Sequence, residues 1–225
     1  MRIVIAGGHG QIALLLERIL AERGDTPIGL IRRPEQAEDL LDAGAEPLLC
    51  DLESVGVDHL AAQLAGADAV VFAAGAGGHG GAGRTQAVDH GGAVLFAEAA
   101  ERAGVRRIVQ LSSMGADREP PLGTDQGFAA YLRAKAAADA DLVTRTDMDW
   151  TILRPGHLTD DPGTGLIALA AHTGVGSVPR QDVAAVIAQL LATPASTGLA
   201  LELVGGDTTV QAAIQAAVQS AAGAR

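Results

Sequence analysis

The segment YLRAK, residues 131–135, combines two side chains that can move a proton together. Tyr131 is the only tyrosine of the chain and Lys135 is its only lysine. On a helix, positions four apart share a face, so the ammonium can stabilise a phenolate and can also donate to a cofactor hydroxyl. Arginine, with its broad guanidinium fork, substitutes poorly for lysine in these roles. The surrounding run AYLRAKAAADADL is also rich in helix formers, so an ordinary amphipathic helix remains the alternative interpretation.

A glycine-rich turn near the start of the chain predicts a phosphate-binding loop. The run GGHGQIA follows the apolar segment RIVIA and precedes a helical segment, and Gly7, Gly10 and Ala13 have the spacing GxxGxxA. The first glycine permits a tight turn, the second lets the backbone approach a pyrophosphate, and the small third residue lets the helix pack closely on the sheet. A generic tight turn is the alternative. The expected cofactor contacts are Gly7, Gly8, His9, Gly10, Gln11 and Ile12.

The residues after the second predicted strand favour NADP(H) over NAD(H). An NAD site usually has an acidic residue at this point, which hydrogen-bonds the ribose 2′-hydroxyl. Here Arg32 and Arg33 follow the strand, and a guanidinium can grip a 2′-phosphate with two parallel hydrogen bonds. Two solvated arginines at the mouth of a loop are the alternative interpretation.

A second glycine-rich run, AAGAGGHGG, follows the fourth predicted strand. Its first residues, Ala73, Ala74 and Gly75, are expected to contact the cofactor, because backbone with small side chains can pass close to an adenosine and its ribose. The run is equally consistent with a flexible loop, and we expect His79 within it to be solvated.

Short apolar runs alternate with helical patterns along the chain and predict an α/β fold. Strands are predicted near 2–6, 27–31, 46–50, 68–74, 106–111, 149–153 and 199–204. Helices are predicted near 11–23, 35–43, 57–65, 85–103, 126–146, 181–192 and 208–221. Apolar runs without polar alternation suit strands that are covered on both faces, so we expect one doubly wound, mostly parallel Rossmann sheet of about seven strands. The irregular stretches 112–125 and 156–180 follow late strands, at the edge where such sheets bind ligands.

Composition and charge exclude several classes of partner. The formal net charge of −11 disfavours nucleic acid and anionic membrane surfaces, so an anionic ligand needs a local positive site. The apolar start RIVIAG is too short for a signal peptide, and no apolar run reaches the roughly 18 residues of a membrane span, so we expect a cytoplasmic location. The single cysteine, Cys50, ends a predicted strand and is expected to be buried, and no metal site is expected.

Taken in order, the motifs of this chain resemble those of one superfamily. The succession GGHGQIA, IRRPEQ, DLE, VVFAAGAGG, AGVRRIVQLSSMGAD, YLRAK and DWTILRPGHLTDDPGTG is similar to that of the atypical short-chain dehydrogenase/reductases, which have an NAD(P)-binding Rossmann domain. Within them it looks closest to the NmrA-like and biliverdin-reductase-B-like branch. The resemblance covers nearly the whole chain, and many members of this branch have no assigned reaction.

The resemblance assigns roles to particular residues. The serine that orients the substrate carbonyl falls on Ser112 or Ser113, the proton-transferring tyrosine on Tyr131, and the lysine that holds the nicotinamide ribose on Lys135. Ser112 and Lys135 are therefore also expected to contact the cofactor. An aspartate after the third strand suits a turn equally well, and the RPG run suits an ordinary turn. The further implied cofactor contacts are Asp51, Leu52, Pro155, Gly156 and His157.

One departure from the pattern concerns the fourth helix. Many relatives have an asparagine where this chain has Asp89, which puts in doubt any proton relay through an amide there. We expect the neighbouring His90 to be a surface residue without a chemical role.

These observations lead to two hypotheses of function. The first is an NADPH-dependent reductase of a small carbonyl, quinone or flavin-like acceptor, working on a small-molecule substrate as a monomer or homodimer. The second is an NADP(H)-binding redox sensor without turnover. A sugar-nucleotide epimerase is disfavoured, because only about twenty residues after the RPG turn, near 156–180, and the segment near 199–225 remain for a substrate side within the single predicted domain, 1–225. The loop 114–127 is expected to be a mobile wall of the pocket.

Overall fold

A nine-stranded, mostly parallel sheet forms the centre of the computed structural model, which describes residues 1–76 and 81–223. Its strands are β1 (Arg2–Ala6), β2 (Thr26–Ile31), β3 (Glu46–Leu49), β4 (Ala69–Phe72), β5 (Arg107–Leu111), β6 (Asp149–Pro155), β8 (Leu166–Ala170), β10 (Leu199–Gly205) and β11 (Thr208–Thr209). A separate pair joins β7 (His157–Thr159) to β9 (Ser177–Pro179). The large sheet has the order β11-β8-β10-β6-β5-β4-β1-β2-β3.

The order of the strands reverses at β1 and so creates a ligand crevice. Strand β1 pairs in parallel with β2 on one side and with β4 on the other. The chain then continues outward through β5, β6 and β10, all in parallel register. In sheets of this kind the crevice opens beyond the carboxyl ends of the strands at the reversal, because the connecting helices there pack on opposite faces.

The core lies on both faces of the sheet, as continuous apolar strands require. Side chains of successive residues point to opposite faces. Accordingly Ile3 and Ile5 belong to the apolar cluster beneath the helices at 11–22, 180–191 and 210–223, whereas Val4 and Ala6 belong to the cluster on the other face. Each of these four side chains is fully buried. A strand with polar alternation would have left one face open to water.

The helices cover both faces of the sheet. They are α1 (Gln11–Glu22), α2 (Ala37–Asp42), α3 (Val57–Leu64), α4 (Gly81–Thr85), α5 (Ala93–Arg102), α6 (Gln126–Thr144), α7 (Arg180–Leu191) and α8 (Val210–Gly223). Short 3₁₀ helices lie at Pro34–Gln36 and Pro194–Ser196, and a π-helical segment, Gln86–Gly92, joins α4 to α5. Across the described ranges, every helix is too short or too polar to cross a bilayer.

The predicted fold class is confirmed, with one correction of detail. All seven predicted strands form the parallel part of the sheet, and 112–125 contains neither strand nor helix, as expected. The prediction that 156–180 is irregular is wrong, because β7, β8 and β9 lie there. Strand β8 adds to the edge of the sheet in antiparallel pairing with β10, and β11 pairs with β8. These strands are two to five residues long, too short to give a periodic signal.

Candidate functional site

The glycine-rich turn between β1 and α1 forms a cradle that side chains would fill. Gly7 has a φ of +80°, and a Cβ atom on it would lie 2.7 Å from Cα of Ala74. A Cβ atom on Gly10 would lie 3.1 Å from the carbonyl oxygen of Gly7, which accepts the Gly10 N–H at 2.8 Å. Helix α1 begins at Gln11 without a side-chain cap. Its first N–H groups therefore remain available to an anion.

A large cavity extends from this turn along the carboxyl edge of the sheet. Its volume is about 1240 Å³, above the roughly 300–1,000 Å³ typical of sites for drug-sized ligands. Most of the candidate residues contribute to its wall. They are Gly7, His9, Gly10, Gln11, Ile12, Arg32, Asp51, Leu52, Ala73, Ala74, Gly75, Ser112, Ser113, Tyr131, Lys135, Pro155, Gly156 and His157.

Two of the predicted cofactor contacts lie outside the cavity wall. Gly8 faces β2, where a Cβ atom on it would lie 2.6 Å from Cα of Gly29, so its small size serves the packing of the turn on the sheet. Arg33 is exposed and precedes the 3₁₀ helix at Pro34–Gln36, where the Gln36 side chain accepts its backbone N–H at 3.2 Å. The positions of these two residues do not support a direct contact with a ligand in the cavity.

The end of the cavity next to β2 carries two arginines and one glutamate. The Arg32 guanidinium lies 3.7 Å from Oε1 of Glu53. Arg84 of α4 donates to the same oxygen through Nε at 3.3 Å and through a terminal nitrogen at 3.2 Å. All three residues line the cavity. Sequence analysis assigned no role to Arg84 or to Glu53, the last residue of the run DLE, because only the fold brings them to the end of β2.

His9 is held in place by the second helix. Its Nε2 atom lies 2.6 Å from Oδ2 of Asp39, on α2. This contact joins the glycine-rich turn to the helix that follows β2, so these two segments are fixed relative to each other. His79, which we expected to be solvated, lies outside the described residues.

Tyr131 and Lys135 lie on one face of α6, as their spacing predicts. The Lys135 ammonium is buried, donates to the carbonyl oxygen of Leu111 at 3.1 Å and lies 3.2 Å from Oδ1 of Asp89. It lies 5.8 Å from the centroid of the Tyr131 ring, within the range of a cation–π contact. The ring of Phe128 stacks beside Tyr131, with centroids 6.0 Å apart. An ammonium has three N–H donors, and the Leu111 carbonyl uses one of them.

Asp89 is the main residue whose role sequence analysis missed. It lies in the π-helical segment, is 1 % exposed, and accepts the Ala76 N–H through Oδ2 at 3.0 Å. Its Oδ1 atom forms an ion pair with the Lys135 ammonium, but the angles of this contact do not fit a hydrogen bond. In the sequence, the available signal for this pair was the only lysine together with an aspartate in the predicted helix 85–103. Among the described residues, the neighbouring His90 has a hydrogen bond only to Gln86, one turn away, at 2.6 Å, and it does not line the cavity.

The two serines after β5 have different surroundings. Ser112 is buried, and its hydroxyl donates to Oδ2 of Asp139 at 2.8 Å. Asp139 also accepts from Gln110 at 2.8 Å and from Arg154 at 3.0 Å, and its burial raises its pKa against the opposing effect of these donors. Ser113 is half-buried, and within the described part of the chain its hydroxyl has one hydrogen bond, which it donates to the Met114 carbonyl oxygen at 3.3 Å. Ser113 is therefore the better placed of the two to donate to a ligand.

Two residues after β3 have structural roles at the cavity wall. Asp51 accepts the Glu53 N–H at 3.1 Å, which is the turn role that its residue type also allowed. Cys50 is 7 % exposed, as expected, and its thiol pKa is raised by burial and by the adjacent Asp51. A thiol in this state is a poor nucleophile.

A buried carboxyl group lies beneath the glycine-rich turn. Glu17 of α1 is 0 % exposed, and within the described ranges neither of its carboxyl oxygens has a hydrogen-bond partner. A Cβ atom on Gly8 would lie 3.1 Å from Oε1 of Glu17, and one on Gly29 would lie 2.5 Å from it. Burial raises the pKa of Glu17 to about 8. The two glycines therefore make room for an acid that is mostly protonated at neutral pH.

The sheet order and the cradle together define a dinucleotide-binding protein of the Rossmann type. The chain belongs to the NAD(P)H-binding family, which its residues 7–194 match. It is 33 % identical over 216 residues to YhfK of Bacillus subtilis, named as an uncharacterized sugar epimerase, with 96 % of this chain and 99 % of that protein covered.

Two solved structures are similar over almost their whole length. One is a proposed NAD-dependent epimerase/dehydratase from Bacillus halodurans. It is 33 % identical to this chain and has a TM-score of 0.88, and the alignment covers 96 % of this chain and 99 % of that one. The other, the oxidoreductase ylbE from Lactococcus lactis, is 28 % identical, has a TM-score of 0.83 and covers 97 % of each chain. The expected NAD(P)-binding Rossmann domain is thereby confirmed.

Proposed function

We propose that this protein is an NADPH-dependent reductase of a small carbonyl, quinone or flavin-like acceptor. The observation that carries the proposal is a continuous cavity with the glycine cradle at one end and Tyr131 and Ser113 further along its wall. A dinucleotide with its pyrophosphate at the start of α1 would extend toward these hydroxyls. The proposed site then has cofactor-binding and proton-donating groups in one space.

The two arginines next to β2, where the adenosine of the cofactor would lie, support NADP(H) over NAD(H). Arg32 and Arg84 both reach the oxygen of Glu53, so a 2′-phosphate bound near that oxygen would meet two guanidiniums. Phosphate suits such paired donors well. Glu53 itself is the kind of carboxylate that accepts a ribose 2′-hydroxyl in NAD sites. The NADP(H) preference therefore depends on the two arginines outweighing this one acid.

Three residues would act at the reacting end. A bound nicotinamide supplies the hydride. Tyr131 would donate a proton to the substrate oxygen, and the Ser113 hydroxyl would donate a hydrogen bond to the same oxygen. Lys135, held by Leu111 and Asp89, would direct one of its remaining N–H groups toward a ribose hydroxyl.

The aromatic surface beside Tyr131 supports a flat acceptor. Phe128 is 51 % exposed, lines the cavity and stacks nearly parallel to the Tyr131 ring, at an interplanar angle of 22°. An exposed aromatic face favours stacking on another planar ring system. Quinones and flavins have such rings, and small aldehydes do not.

The test is NADPH oxidation by the wild type and by Tyr131→Phe, over a panel of quinones, flavins and small aldehydes. General acid catalysis typically contributes about 10²–10⁴-fold, so kcat should fall by that order in the variant. Fluorescence titration must first establish that both proteins bind NADPH equally. Turnover that is the same in both proteins would refute the role of Tyr131.

A redox sensor without turnover is the second candidate. The observation that favours it is the pairing of Lys135 with Asp89, because a neutralised ammonium promotes proton loss from a phenol less than an unpaired one. Tight NADPH binding without turnover of any acceptor would support the sensor. Epimerase chemistry, suggested by the names of two relatives, returns its cofactor to the starting state, so conversion of a sugar substrate without net NADPH oxidation would identify it.

The remaining expectations stay predictions. They are the single domain over 1–225 with a substrate side near 156–180 and 199–225, the cytoplasmic location, and the monomeric or homodimeric state. Affinity for nucleic acid or membranes is not proposed, since the net charge of −11 opposes both.

A further inference from the structure

Three potential metal ligands meet outside the cavity wall. Asp117 lies in the loop after β5, His172 follows β8, and Glu202 lies within β10. One ligand atom from each side chain lies within 4.8 Å of the other two. The three come from separate parts of the chain, so no spacing in the sequence indicated them.

The distances are close to those of a metal site. Nδ1 of His172 lies 3.8 Å from Oδ2 of Asp117 and 3.7 Å from Oε1 of Glu202. In a tetrahedral zinc site with bonds of about 2.0–2.1 Å, neighbouring ligand atoms are about 3.4 Å apart. These two distances therefore need to shorten by only a few tenths of an ångström, and the carboxylate oxygens of Asp117 and Glu202 lie within 4.8 Å of each other.

The buried member of the cluster indicates that a ligand is needed. Glu202 is 2 % exposed, and its Oε2 atom accepts the Thr173 N–H at 2.8 Å. Its Oε1 atom, which faces His172, has no hydrogen-bond donor among residues 1–76 and 81–223. A buried carboxylate oxygen without a donor is costly, and a cation beside it removes that cost. His172 is largely exposed, so an ion can enter from solvent.

We propose that Asp117, His172 and Glu202 bind one divalent transition-metal ion, for which Zn²⁺ is the probe. One imidazole and two carboxylates provide three ligands with a net charge of −2, and water can complete the tetrahedron. A hard ion such as Mg²⁺ prefers six oxygen ligands and fits this set poorly. Sequence analysis expected no metal site, so this proposal departs from that expectation, and the site is independent of the proposed reductase function.

The ion would fasten the two segments that form the substrate side of the cavity. Asp117 is preceded by Met114 and Gly115 in the cavity wall, and His172 is followed by Val175 and Gly176. Both segments would then be tied to Glu202 on the rigid β10. Zinc binding should therefore slow hydrogen exchange in the loop 114–127, which we expect to be mobile without it.

The experiment is calorimetric titration of Zn²⁺ into the full chain after treatment with a chelator, in the absence of NADPH. We expect one site. Glu202→Gln and His172→Ala should each weaken it by more than about 100-fold, since even partners behind the ligands commonly contribute 10–100-fold. Asp117→Asn, on an exposed loop, should also weaken it and leaves the core untouched. Mg²⁺ should bind far more weakly.

The control is His59→Ala, an exposed histidine on α3 that contacts only Gln63 within the described residues. This variant should bind Zn²⁺ like the wild type. Absence of zinc binding would overturn the proposal. Zinc binding that persists unchanged in Glu202→Gln, His172→Ala and Asp117→Asn would also overturn it, because the ion would then occupy another site.

Discussion

Glu17 permits a quantitative prediction, because its carboxyl group is buried without a partner. The substitution Glu17→Gln removes the ionisation and keeps the shape of the side chain. Burial raises the pKa of Glu17 from its ordinary value of 4.5 to about 8. The folded state therefore binds this proton more tightly than the unfolded state does. The contribution of this proton to the free energy of unfolding is fully present below about pH 4.5 and is lost as the pH rises toward about 8.

The size of the effect follows from the same shift. One pKa unit corresponds to about 1.4 kcal/mol. Between pH 5.5 and pH 7.5 the free energy of unfolding of the wild type should therefore fall by roughly 2 to 3 kcal/mol relative to the variant. The glutamine amide does not titrate, so any fixed gain or loss from its own burial is the same at each pH and cancels from this comparison.

Urea unfolding at a series of pH values, without NADPH, measures the difference directly. Trp150, the only tryptophan, lies half-buried in β6 and packs against the core, so its fluorescence can report unfolding. Glu22→Gln is the matched control, since Glu22 is an exposed glutamate on the same helix. Its curve should run parallel to that of the wild type. If the curve of Glu17→Gln does so too, Glu17 is not a buried, protonated acid and the reasoning fails.

Two further predictions concern the cofactor and the serines. Arg32→Ala should weaken NADPH binding roughly ten- to hundredfold, the loss expected for charge-assisted hydrogen bonds, and should leave NADH affinity unchanged, whereas Arg33→Ala should change neither. Fluorescence titration of both variants with both cofactors tests this, and equal losses from the two substitutions would contradict the geometry. Ser112→Ala should lower the free energy of unfolding by about 1–3 kcal/mol, because Asp139 loses one of its donors, whereas Ser113→Ala should spare stability and lower kcat. Urea unfolding and turnover of the two variants separate these outcomes, and the reverse pattern would show that Ser112 is the serine that serves the substrate.

The sequence predicted the parallel sheet well because its strands are apolar on both faces. Runs such as RIVIA have no polar alternation, so burial on both sides was the only consistent arrangement, and Ile3 and Val4 do lie on opposite faces of the sheet. The edge was not predictable in the same way. Strand β8 is five residues long, follows Gly165, and depends on antiparallel pairing with β10, a contact between distant parts of the chain.

In the candidate site, too, the residues set by local sequence were predictable and those set by contacts between distant segments were not. Residues that lie a few positions apart after a strand, such as Gly7 and Gly10, were predicted because local spacing determines their geometry. Arg84 and Glu53 were not predicted, because their meeting with Arg32 depends on how α4 approaches the end of β2. The cluster of Asp117, His172 and Glu202 is an extreme case, in which three separate segments contribute one residue each.

The surroundings of Lys135 explain why lysine, and not arginine, occupies this position. Its ammonium fits in a buried space between the Leu111 carbonyl and Asp89, with the ring of Phe72 5.7 Å from it. A guanidinium is wider, has five N–H donors in a fixed plane, and would leave several of them unpaired among these neighbours. Asp89 supplies the charge that makes burial of the ammonium tolerable, since removal of one member of a buried ion pair typically destabilises a protein by about 3–5 kcal/mol. Position 135 therefore requires lysine for packing and charge, whether or not the protein also uses it to hold a ribose.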